Sequence, residues 1–361
     1  MKKLLSMVLV LVAMLAIFAV PANAAEIALV TDVGTIDDES FNQACWQGVE
    51  AFATANNLSY QYYQPAADSD DERLGSIDQA ISDGAKVVVL PGYLFGATVA
   101  QAQEMYPDVK FVAVDVSEGD LGTAALENLY CAVFGEEQAG YAAGYAVVKD
   151  GYTKLGFLGG RAVPAVQRYG YGFVQGANAA AVEMGKAIEI NYTYGGQFFG
   201  DANITAKMDG WYAAGTEIVF ACGGGIYTSA VEAALNNGGY VVGVDVDQNY
   251  VGRKGMEENG WAYNPFVTSA MKGLQAATES ALAKAFDGTW AEIGGKIETL
   301  NLQAGDYVGL PTAESSWNFK SFTIDEYNAM IESIKNGTLV VSTAIDAAPA
   351  TDASVVVNYI D

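Results

Sequence analysis

The chain has 361 residues and a formal net charge of −25, because 43 aspartates and glutamates stand against 18 lysines and arginines. A chain this acidic repels nucleic acid and anionic lipid head groups, both of which bind basic patches, so we predict no nucleic-acid partner. The sequence contains no histidine. This excludes Ser-His-Asp and Cys-His catalytic groups and the usual zinc sites, and we predict neither a metal nor a cofactor.

The N-terminus has the pattern of a signal peptide. Lys2 and Lys3 precede an apolar run over residues 4–20, and an Ala-x-Ala sequence ends at Ala24. The apolar run is nearly long enough to anchor the chain in a membrane, but the small-residue site favours cleavage. We therefore predict that residues 1–24 are removed near Ala24. The rest of the chain is predicted to be exported to the periplasm, the cell surface or the medium.

Strand-like and helix-like stretches alternate along the remaining chain, a pattern typical of parallel α/β sheets. The predicted strands are 26–30, 59–63, 86–90, 110–114, 126–133, 154–158, 187–193, 217–222 and 240–244, with helices between them such as 136–149 and 165–184. A chain of this length suits two domains. We predict one lobe of residues 25–130 plus about 248–300 and another of residues 131–247 plus about 301–361. Hinges are predicted near 128–134, 245–251 and 300.

The loop after the first strand, residues 31–43, is rich in polar groups. It carries carboxylates, an amide and one aromatic ring, contributed by Asp32, Asp37, Asp38, Asn42 and Phe41. Capping of the following helix by Asp37 or Asp38 would account for one acid but not for the whole set. Ligands of open parallel α/β sheets bind at this end of the strands, so the loop predicts a site for a polar, planar solute.

Other polar or glycine-rich loops follow later strands. They contain Asp115, Gly159 to Arg161, Gly195 to Phe199, Gly223 to Gly225, and Asp245 to Gln248. Loops from the carboxyl ends of two sheets would face each other across a cleft.

One stretch resembles a dinucleotide-binding motif. Glycines 223–225 follow a predicted strand and precede a predicted helix, and Asp245 follows 20 residues after Gly225. Thr228 occupies the position where the third glycine of that motif belongs, so the match is incomplete. In either interpretation Asp245 is suited to bind a ribose, because one carboxylate accepts hydrogen bonds from two hydroxyls.

Five segments together resemble a known family. They are residues 32–43, 167–176, 218–225, 242–248 and 268–272. They are spread over nearly the whole predicted mature chain, and they resemble the basic membrane protein (BMP) family of ABC-transporter substrate-binding proteins. The best understood members of that family are purine nucleoside receptors, many of them lipoproteins.

The resemblance implies a type I periplasmic-binding-protein fold, an α/β structure whose two lobes each hold a parallel sheet flanked by helices. It implies that two aromatic rings sandwich a base, namely Phe41 and Phe199. It implies that the polar edge of the base is read by Asn42, by Asp37 or Asp38, and by Asp115. It further implies that a ribose is held by Asp245, Lys272, Gly224 and Gly225. From its position alone, Lys272 is predicted at the start of a helix.

Two features depart from the family pattern. Many members carry a lipid-attached cysteine at the cleavage site, whereas the first cysteine here is Cys45, so we predict no lipid anchor. Ile226 and Tyr227 follow the glycines where the family usually has small residues, which could alter ligand choice.

The predicted function is that of an extracytoplasmic binding protein without enzymatic activity. It would act as a monomer, binding a nucleoside, above all a purine nucleoside, and delivering it to an ABC permease. One alternative is an exported nucleoside-processing or nucleotide-dependent enzyme that uses the same cleft, with Asp37 and Asp38 as metal ligands or base. Another is a surface interaction protein, which would need no converging polar loops.

Overall fold

The computed structural model describes residues 25–360, so the predicted signal peptide lies outside the described residues. The first of its two sheets contains β1 (Ile27–Val30), β2 (Tyr60–Tyr63), β3 (Val87–Pro91), β4 (Lys110–Val114), β5 (Leu129–Phe134) and β11 (Lys296–Leu300). These strands are all parallel, in the order β11-β5-β4-β3-β1-β2. Every residue of β3 is buried, as expected for a parallel strand covered by helices on both faces.

The second sheet contains β6 (Lys154–Gly159), β7 (Ile188–Tyr194), β8 (Ile218–Cys222), β9 (Tyr240–Asp245), β10 (Phe266–Lys272), β12 (Val308–Gly309) and β13 (Val355–Tyr359). Its order is β12-β10-β9-β8-β6-β7-β13, and only the short β12 runs antiparallel to its neighbour.

Helices flank both sheets. The first lobe holds α1 (Phe41–Asn56), α2 (Asp70–Ser82), α3 (Gly96–Met105), α4 (Glu118–Leu121) and α10 (Leu274–Phe286). The second lobe holds α5 (Glu136–Lys149), α6 (Pro164–Met184), α7 (Ala202–Ala213), α8 (Tyr227–Asn237), α9 (Asn249–Glu258) and α11 (Ile324–Lys335). Between residues 25 and 360, no helix is both long and apolar enough to cross a membrane.

The chain passes between the lobes three times: from β5 into α5, from β10 into α10, and from β11 towards β12. The second passage lies at Gly273, so the boundary predicted near 248 and the hinge predicted at 245–251 were wrong. The reason is that residues 266–272 form a strand, which pairs in parallel with β9 and keeps this stretch in the second lobe. The first passage follows Phe134, a few residues beyond the predicted boundary at 130.

Helices α5 and α6 pack with their backbones in close contact. Each carries two glycines four residues apart, Gly140 and Gly144 on α5 and Gly172 and Gly176 on α6. A Cβ atom at Gly144 would lie 2.1 Å from the carbonyl oxygen of Phe173, and the other three positions are equally crowded against backbone. Since backbone cannot move aside as a flexible side chain can, these glycines set the distance between the helices.

We expect Gly144→Ala to lower the free energy of unfolding by about 1–3 kcal/mol, because the added methyl group would force the two helices apart. Gly75→Ala is the matched control, since Gly75 lies within α2 with no atom within 4 Å of an added Cβ. That change should instead stabilise the protein by about 0.5–1 kcal/mol. Urea denaturation of both variants measures the difference, and equal stabilities would contradict the packing described here.

Candidate functional site

A cleft lies between the lobes, where the carboxyl ends of strands from both sheets face each other. Seven of the predicted site residues line it: Asp38, Phe41, Asn42, Asp115, Gly224, Asp245 and Lys272. The first four come from the first lobe and the last three from the second. The structure therefore brings together side chains from loops that are far apart in the sequence.

The first wall of the cleft is built on the N-terminus of α1. The carboxylate of Asp38 accepts hydrogen bonds from the backbone N–H groups of Ser40, Asn42 and Gln43 at 2.9, 3.0 and 3.1 Å. It thereby satisfies donors that a helix start leaves free. Burial raises the pKa of Asp38 to about 6, although these bonds to the charged form oppose the rise. Asp38 thus caps the helix and lines the cleft at once.

Asp32 and Asn42 are joined at the same wall. Asp32 Oδ1 accepts from the backbone N–H of Gly34 at 2.8 Å and from Asn42 Nδ2 at 3.1 Å. Asn42 Nδ2 also donates to Asp38 Oδ2 at 3.3 Å. Burial raises the pKa of Asp32. Two carboxylates therefore hold the amide of Asn42 in one orientation.

Lys272 is the centre of a buried charge network. It ends β10 instead of starting a helix as predicted, because residues 266–272 pair with β9. Its ammonium group forms an ion pair with Asp115 across the cleft and lies 3.5 Å from Glu136 Oε1 and 3.9 Å from Asp245 Oδ1. It also lies 4.7 Å from the ring centre of Phe41.

The network determines which of its members are charged. Burial by itself would lower the pKa of Lys272, but the three carboxylates together raise it, so the lysine stays protonated. Burial raises the pKa of Asp115 to about 6, with the lysine opposing the rise. Burial alone would raise the pKa of Glu136. The positive charges of Arg168, whose Nε lies 2.7 Å from Glu136 Oε2, and of Lys272 have the larger effect, so the pKa of Glu136 is lowered.

Hydrogen bonds cross the cleft at its walls and its mouth. Ser40 Oγ donates to Asp245 Oδ2 at 2.6 Å, and Gln248 Nε2 donates to the carbonyl oxygen of Glu39 at 2.9 Å. At the mouth, Arg161 lies 3.2 Å from Asp68. Each of these pairs joins the first lobe to the second, so the described conformation is a closed one.

Backbone strain is concentrated at the cleft. Four non-glycine residues among 25–360 have positive φ, and three of them, Glu39, Asp115 and Asp245, contribute to the interlobe contacts, with φ of 52°, 61° and 66°. The fourth, Asn57, ends α1. This conformation is unfavourable for residues with a Cβ atom. The two strand-end aspartates adopt it where their carboxylates turn into the cleft.

The structure places the other three predicted site residues elsewhere. Asp37 is exposed in the turn before α1. Phe199 is 58% exposed and forms an isolated bridge with Gly225, so Phe198 lines the cleft in its place. Gly225, in the glycine turn that resembled a dinucleotide-binding loop, is therefore paired with Phe199. The same turn packs closely against Gly160, because an added Cβ at Gly223 would lie 3.0 Å from it.

Some residues of the site were missed by the sequence reasoning. Tyr169 lines the cleft from the first turns of α6, and its fully buried hydroxyl has no hydrogen-bond partner among residues 25–360. Glu136 and Arg168 lie beneath it in the charge network. The signal in the sequence was the segment 167–176, which contributed to the family resemblance but to which no site residue was assigned.

The buried acids predict an unusual dependence of stability on pH. Burial raises the pKa of Glu137 to about 7 and those of Asp38 and Asp115 to about 6. Between these values and the ordinary range near 4, the folded protein binds more protons than the unfolded chain. Stability is therefore lost as the pH rises from about 4 to 7. Glu136 has a lowered pKa and so acts only at more acidic pH.

We therefore expect the melting temperature to be higher at pH 5.5 than at pH 8. Glu137→Gln should reduce this difference and stabilise the protein at pH 8, because it removes a buried charge without changing the shape of the side chain. Glu258→Gln, at an exposed residue, is the control. Differential scanning calorimetry at both pH values measures the effect, and a melting temperature that rises with pH would contradict it.

Comparison with known proteins assigns the family. A family model described as "Bmp: ABC transporter substrate-binding protein PnrA-like" matches residues 25–344. The chain is 30% identical over 302 residues to "ABC transporter nucleoside-binding protein BmpA" of Lactococcus lactis subsp. cremoris, covering 80% of this chain and 82% of that protein. It is 27% identical over 306 residues to "Basic membrane protein B" of Borreliella burgdorferi, covering 80% and 81% of the two chains.

Solved structures confirm the fold. A solute-binding protein of an ABC transporter system from Aeropyrum pernix K1 superposes with a TM-score of 0.69 at 19% identity, over 88% of this chain and 87% of that one. A second, from Conexibacter woesei, gives a TM-score of 0.67 at 20% identity, over 89% and 99%. The predicted two-lobed periplasmic-binding-protein fold is therefore confirmed. The chain belongs to the Bmp family of PnrA-like substrate-binding proteins of ABC transporters.

Proposed function

We propose that this protein binds a nucleoside, above all a purine nucleoside, between its lobes and delivers it to an ABC permease. The family is one of ABC-transporter substrate-binding proteins, and the name of the Lactococcus lactis relative describes that protein as nucleoside-binding. The cleft of this chain offers groups that suit each half of such a ligand.

The observation that carries the proposal is the combination of aromatic rings with a buried carboxylate in one cleft. Phe41 and Phe198 line it from opposite lobes, and a planar base between them would stack on both rings. Asp245 is buried, and only its Oδ2 atom takes part in a hydrogen bond between protein groups. Its remaining lone pairs can accept both hydroxyls of a ribose.

The test is calorimetry with adenosine, guanosine, inosine, cytidine and free ribose. We expect purine nucleosides to bind well below millimolar concentration and ribose to bind far more weakly, because it lacks the stacking base. Native mass spectrometry of the protein as purified should reveal any nucleoside retained from the cell. If none of the nucleosides binds below millimolar concentration, the proposal is wrong.

The competing proposal is an exported enzyme that acts on nucleosides. The observation that favours it is the density of carboxylates in the cleft, where Asp32, Asp38, Asp115 and Asp245 all lie. Such an enzyme would use these acids as a general base or as ligands to a catalytic calcium ion, although residues 25–360 contain no group of three or more acids or cysteines placed to hold a metal ion. Incubation with inosine and calcium separates the two possibilities, since a binding protein releases no free base whereas a hydrolase does.

We further propose that the protein is exported without a lipid anchor and acts as a monomer. Export is inferred from the signal-like residues 1–24, and the lack of a lipid anchor from the absence of a cysteine at the Ala-x-Ala site. The intact mass of protein recovered from the cell envelope should correspond to an unmodified chain that begins at Ala25. Light scattering coupled to gel filtration measures the oligomeric state.

A further inference from the structure

The orientation of one amide indicates what the base-reading wall can recognise. The Nδ2 atom of Asn42 is occupied by its bonds to Asp32 and Asp38. Its Oδ1 atom is buried and has no hydrogen-bond partner among residues 25–360. Turning the amide over would place this oxygen against two carboxylates, which is unfavourable. Asn42 lines the cleft, and a hydrogen bond to this oxygen would need a donor other than the protein groups of residues 25–360, such as one from a ligand.

The neighbouring groups on the same lobe are also acceptors. Asp32 uses only its Oδ1 atom within the protein, leaving Oδ2 unbonded. Asp115 bonds Lys272 through Oδ2, and its buried Oδ1 has no partner in the described part of the chain. Among the lining residues that the described part of this lobe contributes, Tyr93 carries a hydroxyl, and it lies beside Arg161. We name Asp32, Asn42 and Asp115 the acceptor wall.

Lys272, a cation that lines the cleft, does not offset the excess of acceptors on the acceptor wall. Lys272 is the only lysine or arginine among the lining residues in the described chain, and it faces Asp115, Glu136 and Asp245. Its donors are directed at these carboxylates, so little of its charge is left for the ligand. A ligand must therefore bring its own N–H donors to the acceptor wall.

Building on the proposed nucleoside function, we propose that the acceptor wall selects bases with adjacent N–H donors, and hence guanosine over adenosine. Guanine presents its N1–H and its 2-amino group side by side, so two or three donors can meet these oxygens. Hypoxanthine presents N1–H alone. The amino group of adenine lies between two ring nitrogens that are acceptors, and these would face carboxylate or amide oxygens without a proton between them.

Calorimetry with modified nucleosides tests this selection. We expect guanosine to bind on the order of tenfold to a hundredfold more tightly than adenosine, with inosine between them, because an unpaired polar group in a buried site is strongly disfavoured. 1-Methylguanosine should lose most of the advantage of guanosine. 7-Deazaguanosine should keep it, since the acceptor wall makes no use of N7.

A matched pair of variants connects the selection to one atom. Asp32→Asn keeps an oxygen for Gly34 and Asn42 but replaces the free Oδ2 acceptor with an NH₂ donor, which suits a ring nitrogen of adenine. It should raise the affinity for adenosine and lower that for guanosine, so that the ratio falls about tenfold or more. Asp37→Asn makes the same change of charge outside the cleft and should leave the ratio unchanged.

The outcomes separate this inference from the proposed function. Equal and submillimolar affinities for guanosine and adenosine would overturn the selection and leave nucleoside binding intact. A ratio that is the same in wild type and Asp32→Asn would also overturn it. If no nucleoside binds at all, both proposals fall together.

Discussion

Replacing Asp245 with alanine should weaken nucleoside binding on the order of a hundredfold or more. Each charge-assisted hydrogen bond contributes about 1.5–3 kcal/mol, and the variant would lose two of them while leaving ribose hydroxyls buried and unpaired. Calorimetry with a purine nucleoside measures the loss. A 2′,3′-dideoxynucleoside should bind wild type about as poorly, and it should lose little more in the variant.

Asp245 also joins the lobes through Ser40, so a control must separate the two roles. Ser40→Ala removes the interlobe hydrogen bond but leaves the carboxylate in place. This hydrogen bond is also charge-assisted and contributes about 1.5–3 kcal/mol. The variant should still lose less affinity than Asp245→Ala, which removes this bond and the two to the ribose as well. If Ser40→Ala is as damaging as Asp245→Ala, the carboxylate acts through lobe closure and the ribose assignment is wrong.

Replacing Lys272 with methionine should lower the free energy of unfolding by about 3–5 kcal/mol, because it leaves buried carboxylates without their main cation. Asp115, Glu136 and Asp245 would repel one another, and only Arg168 would remain to balance them. The cleft should also fail to close, so nucleoside binding should be lost. Chemical denaturation and calorimetry report the two effects.

The matched control is Lys284→Met. Lys284 pairs with Glu292 at 2.6 Å, but this pair is on the surface and its loss should leave the unfolding transition unchanged. Adding Asp115→Asn to Lys272→Met should restore part of the stability, since it removes one of the unbalanced charges. Unfolding of Lys272→Met at the same denaturant concentration as wild type would show that the network contributes little.

The alternation of strands and helices was predictable because both have short-range causes. Parallel strands buried on both faces read as apolar runs, such as Val87–Pro91, and the helices between them end at recognisable signals. Helix α6 starts with Pro164 and ends before Gly185, which has a φ of 60°. The cluster Asp32 to Asn42 was visible for the same reason, since all of it lies in one loop.

The parts that could not be predicted depend on contacts between distant segments. Strand β10 (Phe266–Lys272) has polar residues on a buried segment, and it is a strand because it pairs with β9 along its length and with β12 at its end. Phe198 and Phe199 are adjacent in a loop without any repeating pattern, so nothing local indicates which ring faces the cleft. Tyr169 lies on a buried helix face, and no local pattern distinguishes it from a core residue. That it lines the cleft depends on where the two lobes meet.

The order in which the lobes are assembled has a consequence for folding. The first sheet is completed by β11, where Lys296 lies opposite Tyr130, and α1 is covered by α10 through contacts such as that between Phe52 and Phe286. The first lobe therefore cannot finish folding until the part of the second lobe that lies between β5 and β11 has been synthesised. Pairing over such sequence separations carries a large loop-closure cost and is slow. We expect nascent chains that stop before residue 296 to remain incompletely folded and open to proteolysis, whatever ligand is present.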